Sequence, residues 1–345
     1  MKRVLITGAA GFIGIHMVKE CLKRGYYVVG IDDLNNFTYS AKIKYDRLSS
    51  IGIDVGQLDR ASYVQTGNLE IQKLDITETP TIKANIIDGN YDLVLHLAGM
   101  TSVSASSLSP FVFFKVNVNG FLNVLDGIRD IDPINRPRFV FASSAAVYGN
   151  AQNKKLVEDD KNLIHPDSIY GATKSMCEDA AETYAKLYNM QSLAVRFFNI
   201  YGPFARPDTL SNIVTEDLYS GEIIPVYNNG DISHDFMYID DCIEDLCRIC
   251  FEVPETEPKF ETINVGTNSP VAISDFISTI EKLSGRKALI RYEPLPEGEI
   301  QSLTADTTKF ERIYGKRDYI SIGEGLHKYF DWFKAYYKNF YDFSV

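Results

Sequence analysis

Apolar positions along the first two hundred residues fall in short, nearly unbroken runs: Val4–Thr7, Tyr27–Ile31, Leu69–Leu74, Leu93–Leu97, Phe139–Ala142 and Ser192–Phe197. Each is rich in Val, Ile, Leu or Phe and shows little alternation of apolar and polar positions. That is the pattern of strands covered on both faces, as in a parallel sheet. Between them, apolar residues recur at helical spacing in Gly14–Arg24, Phe111–Asp130 and Tyr170–Tyr188. The alternation predicts an α/β fold with a doubly wound parallel sheet. After Gly202-Pro203 the rhythm breaks. Short runs at Ile224–Tyr227, Thr262–Val265 and Leu289–Tyr292, with helical patterns at Ser274–Leu283 and Glu324–Tyr337, predict a smaller α+β lobe. Asp235–Glu252 carries one long helical periodicity and is expected to return to the first domain. Gly52–Gly67 is polar and irregular and is expected to be an insertion loop. The expected division is 1–198 plus about 235–260 for the sheet domain, and about 199–234 plus 261–345 for the lobe.

Composition narrows the partners. The 345 residues are 45% hydrophobic and 23% charged, ordinary for a globular chain of about two domains. Thirty-five Lys and Arg against 46 Asp and Glu leave a net charge of −11. That balance disfavours nucleic acid or an anionic membrane as partner, since either demands a basic face. No stretch approaches 18 uninterrupted apolar residues, so no membrane span is expected. Met1-Lys2-Arg3-Val4-Leu5-Ile6-Thr7-Gly8 reads as a first strand rather than a secretion signal. The five cysteines, an odd number, are expected to be free thiols of a cytoplasmic protein. Cys242, Cys247 and Cys250 share a spacing with some iron–sulfur proteins, but no cysteine follows to complete a ligand set. They lie at helical apolar spacing and are expected in a helix core, with no metal.

Two motifs carry chemistry. Gly8-Ala9-Ala10-Gly11-Phe12-Ile13-Gly14 sits directly between a strand and a helix, the context of a Rossmann-type dinucleotide site. Glycines there permit a tight turn and close approach of a pyrophosphate, whose charge rests on the helix N-terminus. The second run ends in Gly30-Ile31-Asp32-Asp33; an acid there binds ribose hydroxyls and repels a 2′-phosphate, so NAD is expected over NADP. Asp75, and Ala98-Gly99, stand where later strands should end, facing adenine and pyrophosphate. Tyr170 and Lys174 lie four residues apart on one helical face. Oxidising an alcohol needs a base for the hydroxyl proton, and a phenol near pKa 10 serves only with its anion stabilised. A neighbouring ammonium supplies that stabilisation. Ser144, ending the run Phe141-Ala142-Ser143-Ser144, is the hydroxyl expected to orient the substrate oxygen.

With these residues in place, the chain resembles the extended short-chain dehydrogenase/reductases, specifically the NAD-dependent nucleotide-sugar epimerases and dehydratases. The likeness rests on the glycine motif, Asp32, Asp75-Ile76, Ala98-Gly99, Asn117, Ser143-Ser144, Tyr170/Lys174, Arg196-Phe197-Phe198-Asn199-Ile200-Tyr201-Gly202-Pro203 and Asp235-Phe236-Met237-Tyr238-Ile239-Asp240-Asp241. It implies further cofactor contacts from Phe12, Ile13, Asn35, Ile76, Leu97, Asn117 and Phe197. It implies a nucleotide diphosphate sugar in the second lobe, contacted by Ser144, Asn199, Arg206, Asn212, Tyr227, His234 and Glu299. It also implies a homodimer formed through Phe111–Asp130 and Tyr170–Tyr188.

The positions after Ser144 separate the reactions of the family. Sugar 4,6-dehydratases resemble Ser-Thr-Asp-Glu-Val-Tyr-Gly there, and uronate decarboxylases keep the Glu; this chain has Ala145 and Ala146. Methyl groups transfer no protons, so the resemblance implies a 4-epimerase, which oxidises C4, turns the 4-keto sugar and returns the hydride. Gly120–Asp126, Tyr201–Asp208 and Pro225–Gly230 look most like UDP-glucuronate 4-epimerases, making UDP-glucuronate the first choice. UDP-glucose/galactose or UDP-N-acetylhexosamine come next, because Asn199 stands where the glucuronate group carries Thr, and Ala145 and Ala146 where it carries hydroxyls. His234 and Pro296 replace arginines common in relatives, leaving Arg206 the leading cation for a diphosphate or carboxylate. A 4-keto reductase or dehydratase on the same scaffold, and a non-catalytic NAD-binding protein, are the alternatives.

Overall fold

Strand β1 (Arg3–Thr7) runs through the middle of an eight-stranded sheet. It pairs in parallel with β2 (Tyr27–Asp32) on one side, Val4 opposite Val28, and with β5 (Leu93–His96) on the other, Val4 opposite Leu93. Next to β5 comes β6 (Arg138–Ser144), then β7 (Ser192–Phe197) and β11 (Phe260–Val265). Beyond β2 lie β4 (Leu69–Lys73) and β3 (Tyr63–Thr66), so the order is β11-β7-β6-β5-β1-β2-β4-β3. The edge strand β3 is antiparallel to β4, Tyr63 opposite Gln72. The order reverses direction at β1, which puts a binding crevice at the carboxyl ends of β1 and its neighbours. This computed structural model describes residues 1–150, 155–254, 258–295 and 301–343.

The unbroken apolar runs explain the sheet's interior. Leu5, Val29, Ile31, Val94, Phe139 and Phe141 are buried with Phe121, Val124, Leu125 and Ala181 from the covering helices. The rings of Phe121, Phe139 and Phe141 pack with centroids 4.8–6.0 Å apart. The helix expected over Phe111–Asp130 is three stretches in succession: Pro110–Phe113, a π-helical Phe114–Gly120 and Phe121–Arg129. The other early helices run over Phe12–Lys23 and Ile169–Tyr188. All five cysteines are buried free thiols. No helix among the described residues is long and apolar enough to cross a membrane.

Two compact units divide the chain. The first comprises Met1–Val147, Pro166–Arg196 and Ile243–Ile263; the second comprises Tyr148–His165, Phe197–Cys242 and Asn264–Val345. The second is built on β10 (Ser233–Tyr238), which pairs with β8 (Asn199–Tyr201), β12 (Pro270–Ala272) and β14 (Ser302–Leu303). A separate pair joins β9 (Ile223–Tyr227) to β13 (Leu289–Glu293). Its helices are Leu210–Ser220, Ile273–Ser284, Thr308–Tyr314 and Ile322–Tyr336.

Four expectations are corrected. Gly52–Gly67 is not an irregular loop, because it contains the helix Val55–Ala61 and strand β3. The long helical periodicity of Asp235–Glu252 begins as strand: β10 ends at Tyr238 and the helix spans Ile239–Phe251. Asp235 is stable in that strand because its buried carboxylate accepts from the backbone N–H groups of Thr267, Asn268 and Ala305. Thr262–Val265 joins the large sheet as the end of β11 instead of the smaller lobe's own sheet. Finally, Tyr148–His165 clusters with the second unit, not the first. Asn264 ties it there, accepting from Tyr148 Oη (2.8 Å) and donating to the Leu156 carbonyl (2.6 Å) and, through its backbone, to Glu158 Oε1 (2.8 Å).

Candidate active site

The glycine motif leaves β1 as a bare backbone cradle. Gly8 has φ +72°, and a Cβ on it would stand 2.7 Å from the Ala98 nitrogen; one on Gly14 would stand 2.0 Å from the Gly8 carbonyl oxygen. Gly11 caps the helix Phe12–Lys23 with no side-chain acceptor, so no capping side chain competes with a ligand for the first-turn N–H groups. Phe12 is buried beside the loop and Ile13 is half-buried. At the end of β2, Asp32 accepts from the backbone of Ala10 (3.2 Å) and Leu34 (3.0 Å). Its carboxylate also faces Lys44 Nζ at 3.4 Å, and Asp33 does so at 3.6 Å. Burial pushes the Lys44 ammonium down, but Asp32, Tyr39 and Asp33 outweigh it and its pKa is raised. Fully buried Arg47 donates to the Ala10 carbonyl at 3.0 Å. Sequence reading missed both cations, since a Lys and an Arg three residues apart in a polar helix look like a solvated face. Asn35 donates to both Asp33 oxygens at 2.6 Å.

The carboxyl ends of β4 and β5 complete this side. Asp75 accepts from the Thr77 nitrogen (2.8 Å), and Ile76 is buried. Thr7 Oγ1 accepts from the Ala98 nitrogen (3.2 Å) and shares a hydrogen bond with His96 Nδ1 (2.8 Å). Leu97, Ala98 and Gly99 are half-buried along this segment. Asn117, carried by the π-helical turn, clamps the residue that follows: Oδ1 accepts from Met100 N (2.7 Å) and Nδ2 donates to Met100 O (3.0 Å). The same Nδ2 reaches Thr173 Oγ1 at 3.0 Å on the helix of Tyr170. Asn117 therefore couples two parts of the site by structure. An extended, anionic dinucleotide suits this assembly: glycine backbone without side chains, an uncapped helix N-terminus for its phosphates and Asp32 for ribose hydroxyls.

Tyr170 and Lys174 ride on the helix Ile169–Tyr188, whose N-cap Ser168 accepts from the Gly171 nitrogen (3.0 Å). The Tyr170 nitrogen is held by Ser106 Oγ at 3.2 Å. Tyr170 is partly exposed, whereas Lys174 is buried with Nζ 2.8 Å from the Ala142 carbonyl on β6. Ser144 ends β6 and accepts from the Ala146 nitrogen (3.1 Å). The preceding Ser143 donates to Glu178, which also forms a two-point ion pair with Arg196 (2.9 and 2.6 Å). All three are buried, so Glu178 binds the helix of Tyr170 and Lys174 to β6 and β7. The signal for it was present: Glu178 falls one turn beyond Lys174.

Of the expected sugar-nucleotide residues, Asn199, Arg206, Asn212, Tyr227 and His234 lie in the second unit, and Ser144 in the first. Arg206 pairs with Asp208 (2.8 Å) and remains about a quarter exposed at 28%. Asn199 sits on β8 opposite Phe236, and its buried Nδ2 has no partner among the described residues. Tyr227 ends β9 half-buried, and His234 pairs through its backbone with Val271 and Leu303. Asn212, expected beside the substrate, is fully buried, and both protons of its amide are spent on the carbonyls of Ala205 (3.1 Å) and Arg206 (2.9 Å). Phe197 is buried at the end of β7. Pro296 and Glu299 lie outside the described residues.

Residues 4–266 match the model of the NAD dependent epimerase/dehydratase family, and the chain belongs to that family. It is 32% identical to Protein CapI of Staphylococcus aureus, over 97% of this chain and 99% of that protein. It is 30% identical to UDP-glucuronate 4-epimerase 2 of Arabidopsis thaliana, covering 97% of this chain and 76% of the relative. Among solved structures, UDP-glucuronic acid 4-epimerase from Bacillus cereus, in complex with UDP-glucuronic acid and NAD, superposes with TM-score 0.85 at 28% identity. The match covers 97% of this chain and all of that one (100%).

Proposed function

We propose that this chain is an NAD-dependent 4-epimerase of a UDP-sugar, with UDP-glucuronate as its first-choice substrate. One observation carries the reading. Tyr170 and Lys174 share a helix held against the end of β6, and the two residues after Ser144 are alanines. That arrangement suits alcohol oxidation, and the methyl groups of Ala145 and Ala146 can neither protonate nor deprotonate C5 or C6. The similarity to UDP-glucuronate 4-epimerases over 97% of the chain supports the substrate.

In this reading Gly8, Gly11, Gly14, Asp32, Asp75 and Ala98-Gly99 hold the cofactor. NAD, when bound, supplies the acceptor for hydride from sugar C4 and gives it back. Tyr170 Oη takes the C4 hydroxyl proton as that C–H bond breaks and returns it when the bond reforms on the opposite face. Lys174, one helical turn from Tyr170, has its ammonium fixed by the Ala142 carbonyl. Ser144 orients the C4 oxygen, and Arg206 pairs with the substrate's anionic groups. The five reduced, buried thiols suit a reducing cytoplasm. A homodimer is proposed through Phe111–Asp130 and Tyr170–Tyr188; Phe111 and Met176 on them, and Leu108 just before, are large apolar side chains exposed to solvent.

The test is incubation with UDP-glucuronate, UDP-glucose and UDP-N-acetylhexosamines, with chromatographic separation of C4 epimers. UDP-glucuronate is expected to equilibrate with UDP-galacturonate without net change in NADH absorbance. Tyr170→Phe should lower kcat about 10²–10⁴-fold while the purified variant still carries NAD. Steady NADH accumulation, or a product lighter by water or carbon dioxide, would replace this reading with another reaction.

A further inference from the structure

Arg206 is held by an unusual amount of structure. Its carbonyl oxygen receives three donors: the Thr209 nitrogen (3.0 Å), Thr209 Oγ1 (2.7 Å) and Asn212 Nδ2 (2.9 Å). A carbonyl has two lone pairs, so this oxygen is more than fully used. Asn212 is in turn fixed by Tyr329, whose buried hydroxyl lies 2.7 Å from Asn212 Oδ1 and 3.0 Å from the Ser211 carbonyl. Burial pushes the Tyr329 phenol well up, which keeps it a neutral donor. Two residues before Arg206, Phe204 has φ +62°, a left-handed backbone that bulky residues rarely adopt. Its ring is held by Trp332 (centroids 5.3 Å) and Tyr336 (5.9 Å). Tyr329, Trp332 and Tyr336 recur at i, i+3 and i+7 along the helix Ile322–Tyr336. One face of that helix thus grips the Arg206 loop at two places.

We propose that Tyr329 and Trp332 are positioning residues that set specificity for a charged sugar: they hold the backbone at Arg206 so that its guanidinium meets a uronate carboxylate. The proposal rests on the reading of Arg206 as the cation for the sugar's anionic group. A pre-fixed backbone matters there because a guanidinium reaches a carboxylate with two parallel hydrogen bonds only from a narrow range of directions. A loop free to wander would spend part of each contact on ordering itself. A UDP-hexose, whose sugar is uncharged, has no carboxylate at that position to benefit.

The experiment uses the full NAD-loaded chain and measures kcat with UDP-glucuronate, and dissociation constants for UDP-glucuronate and UDP-glucose in the Tyr170→Phe background. Tyr329→Phe and Trp332→Leu are expected to weaken UDP-glucuronate binding about tenfold, with UDP-glucose binding and saturated kcat nearly unchanged. Trp332→Phe, which keeps an aromatic face for Phe204, should restore most of the affinity. Combined with Arg206→Met, Tyr329→Phe should add no further loss, since its effect passes through Arg206. Equal weakening of both ligands, or a loss additive with Arg206→Met, makes the contacts merely structural and overturns the proposal. If Arg206→Met alone leaves UDP-glucuronate binding intact, the reading of Arg206 has failed instead, and the clamp with it. Should the Tyr329 and Trp332→Leu variants not fold, the chain's one tryptophan decides. Wild-type Trp332 emission that responds to UDP-glucuronate more than to UDP-glucose supports the clamp; an equal response overturns it.

Discussion

His96 shows how much one buried side chain can disclose. It lies 3% exposed at the end of β5, its Nδ1 hydrogen-bonded to Thr7 Oγ1. Burial, and then the charge of Lys174, push its pKa down from 6.5 to about 3. In the unfolded chain the imidazole titrates near its ordinary value. Between those two values the unfolded state binds the extra proton, so stability rises with pH and is lost as pH falls from 6.5 toward 3. Urea midpoints should therefore decline from about pH 7 to about pH 4.5, and His96→Gln should decline less steeply. Parallel declines would mean that the folded protein accommodates a charged imidazole. Other residues count by what they lack: Ala145 and Ala146, next to Ser144, offer methyl groups that transfer no proton.

At the scale of elements, the helix Ile169–Tyr188 owes its placement to one acid. Glu178 accepts from Ser143 on β6 and pairs with Arg196 on β7, and both partners are about 2–3% exposed. Glu178→Gln preserves the shape but leaves the Arg196 guanidinium without its counter-charge in a dry core. Removing one partner of such a pair costs about 3–5 kcal/mol. Equilibrium urea unfolding should register a loss of that order, with kcat falling as well because the same helix carries Tyr170 and Lys174. A loss below about 1 kcal/mol would place the helix's anchoring elsewhere, with the N-cap Ser168 or the Asn117–Thr173 bond. The π-helical stretch Phe114–Gly120 has a similar role, since it carries Asn117, which joins the Ala98–Met100 segment to the helix of Tyr170 and Lys174.

For the whole molecule, association is the open test. Leu108 and Phe111 are 85% and 88% exposed and Met176 is 45% exposed, all in the first unit. Leu108→Glu combined with Phe111→Lys is expected to shift a sedimenting dimer to monomer, with NAD retained; an unchanged sedimentation coefficient would move the interface elsewhere. The early strands were legible because burial on both faces imposes unbroken apolar runs, and a run needs no knowledge of its partners. The glycine loop, Asp32, Tyr170 and Lys174 were legible because their spacing is local. Other features needed the folded chain. Strand β3 is polar and mostly exposed, so no periodicity announced it. Asp235 reads as helix or loop until donors some thirty and seventy residues away satisfy its carboxylate. Asn212 reads as a substrate ligand until Tyr329 and the Ala205 and Arg206 carbonyls use up its amide. From sequence alone came the sheet, the glycine loop and the Tyr170/Lys174 pair, all set by contacts within a few residues or by burial itself. Tertiary structure decided which side chains are spent on holding the site and which remain for a substrate, because hydrogen-bond partners are distributed by the fold and not by the order of the chain.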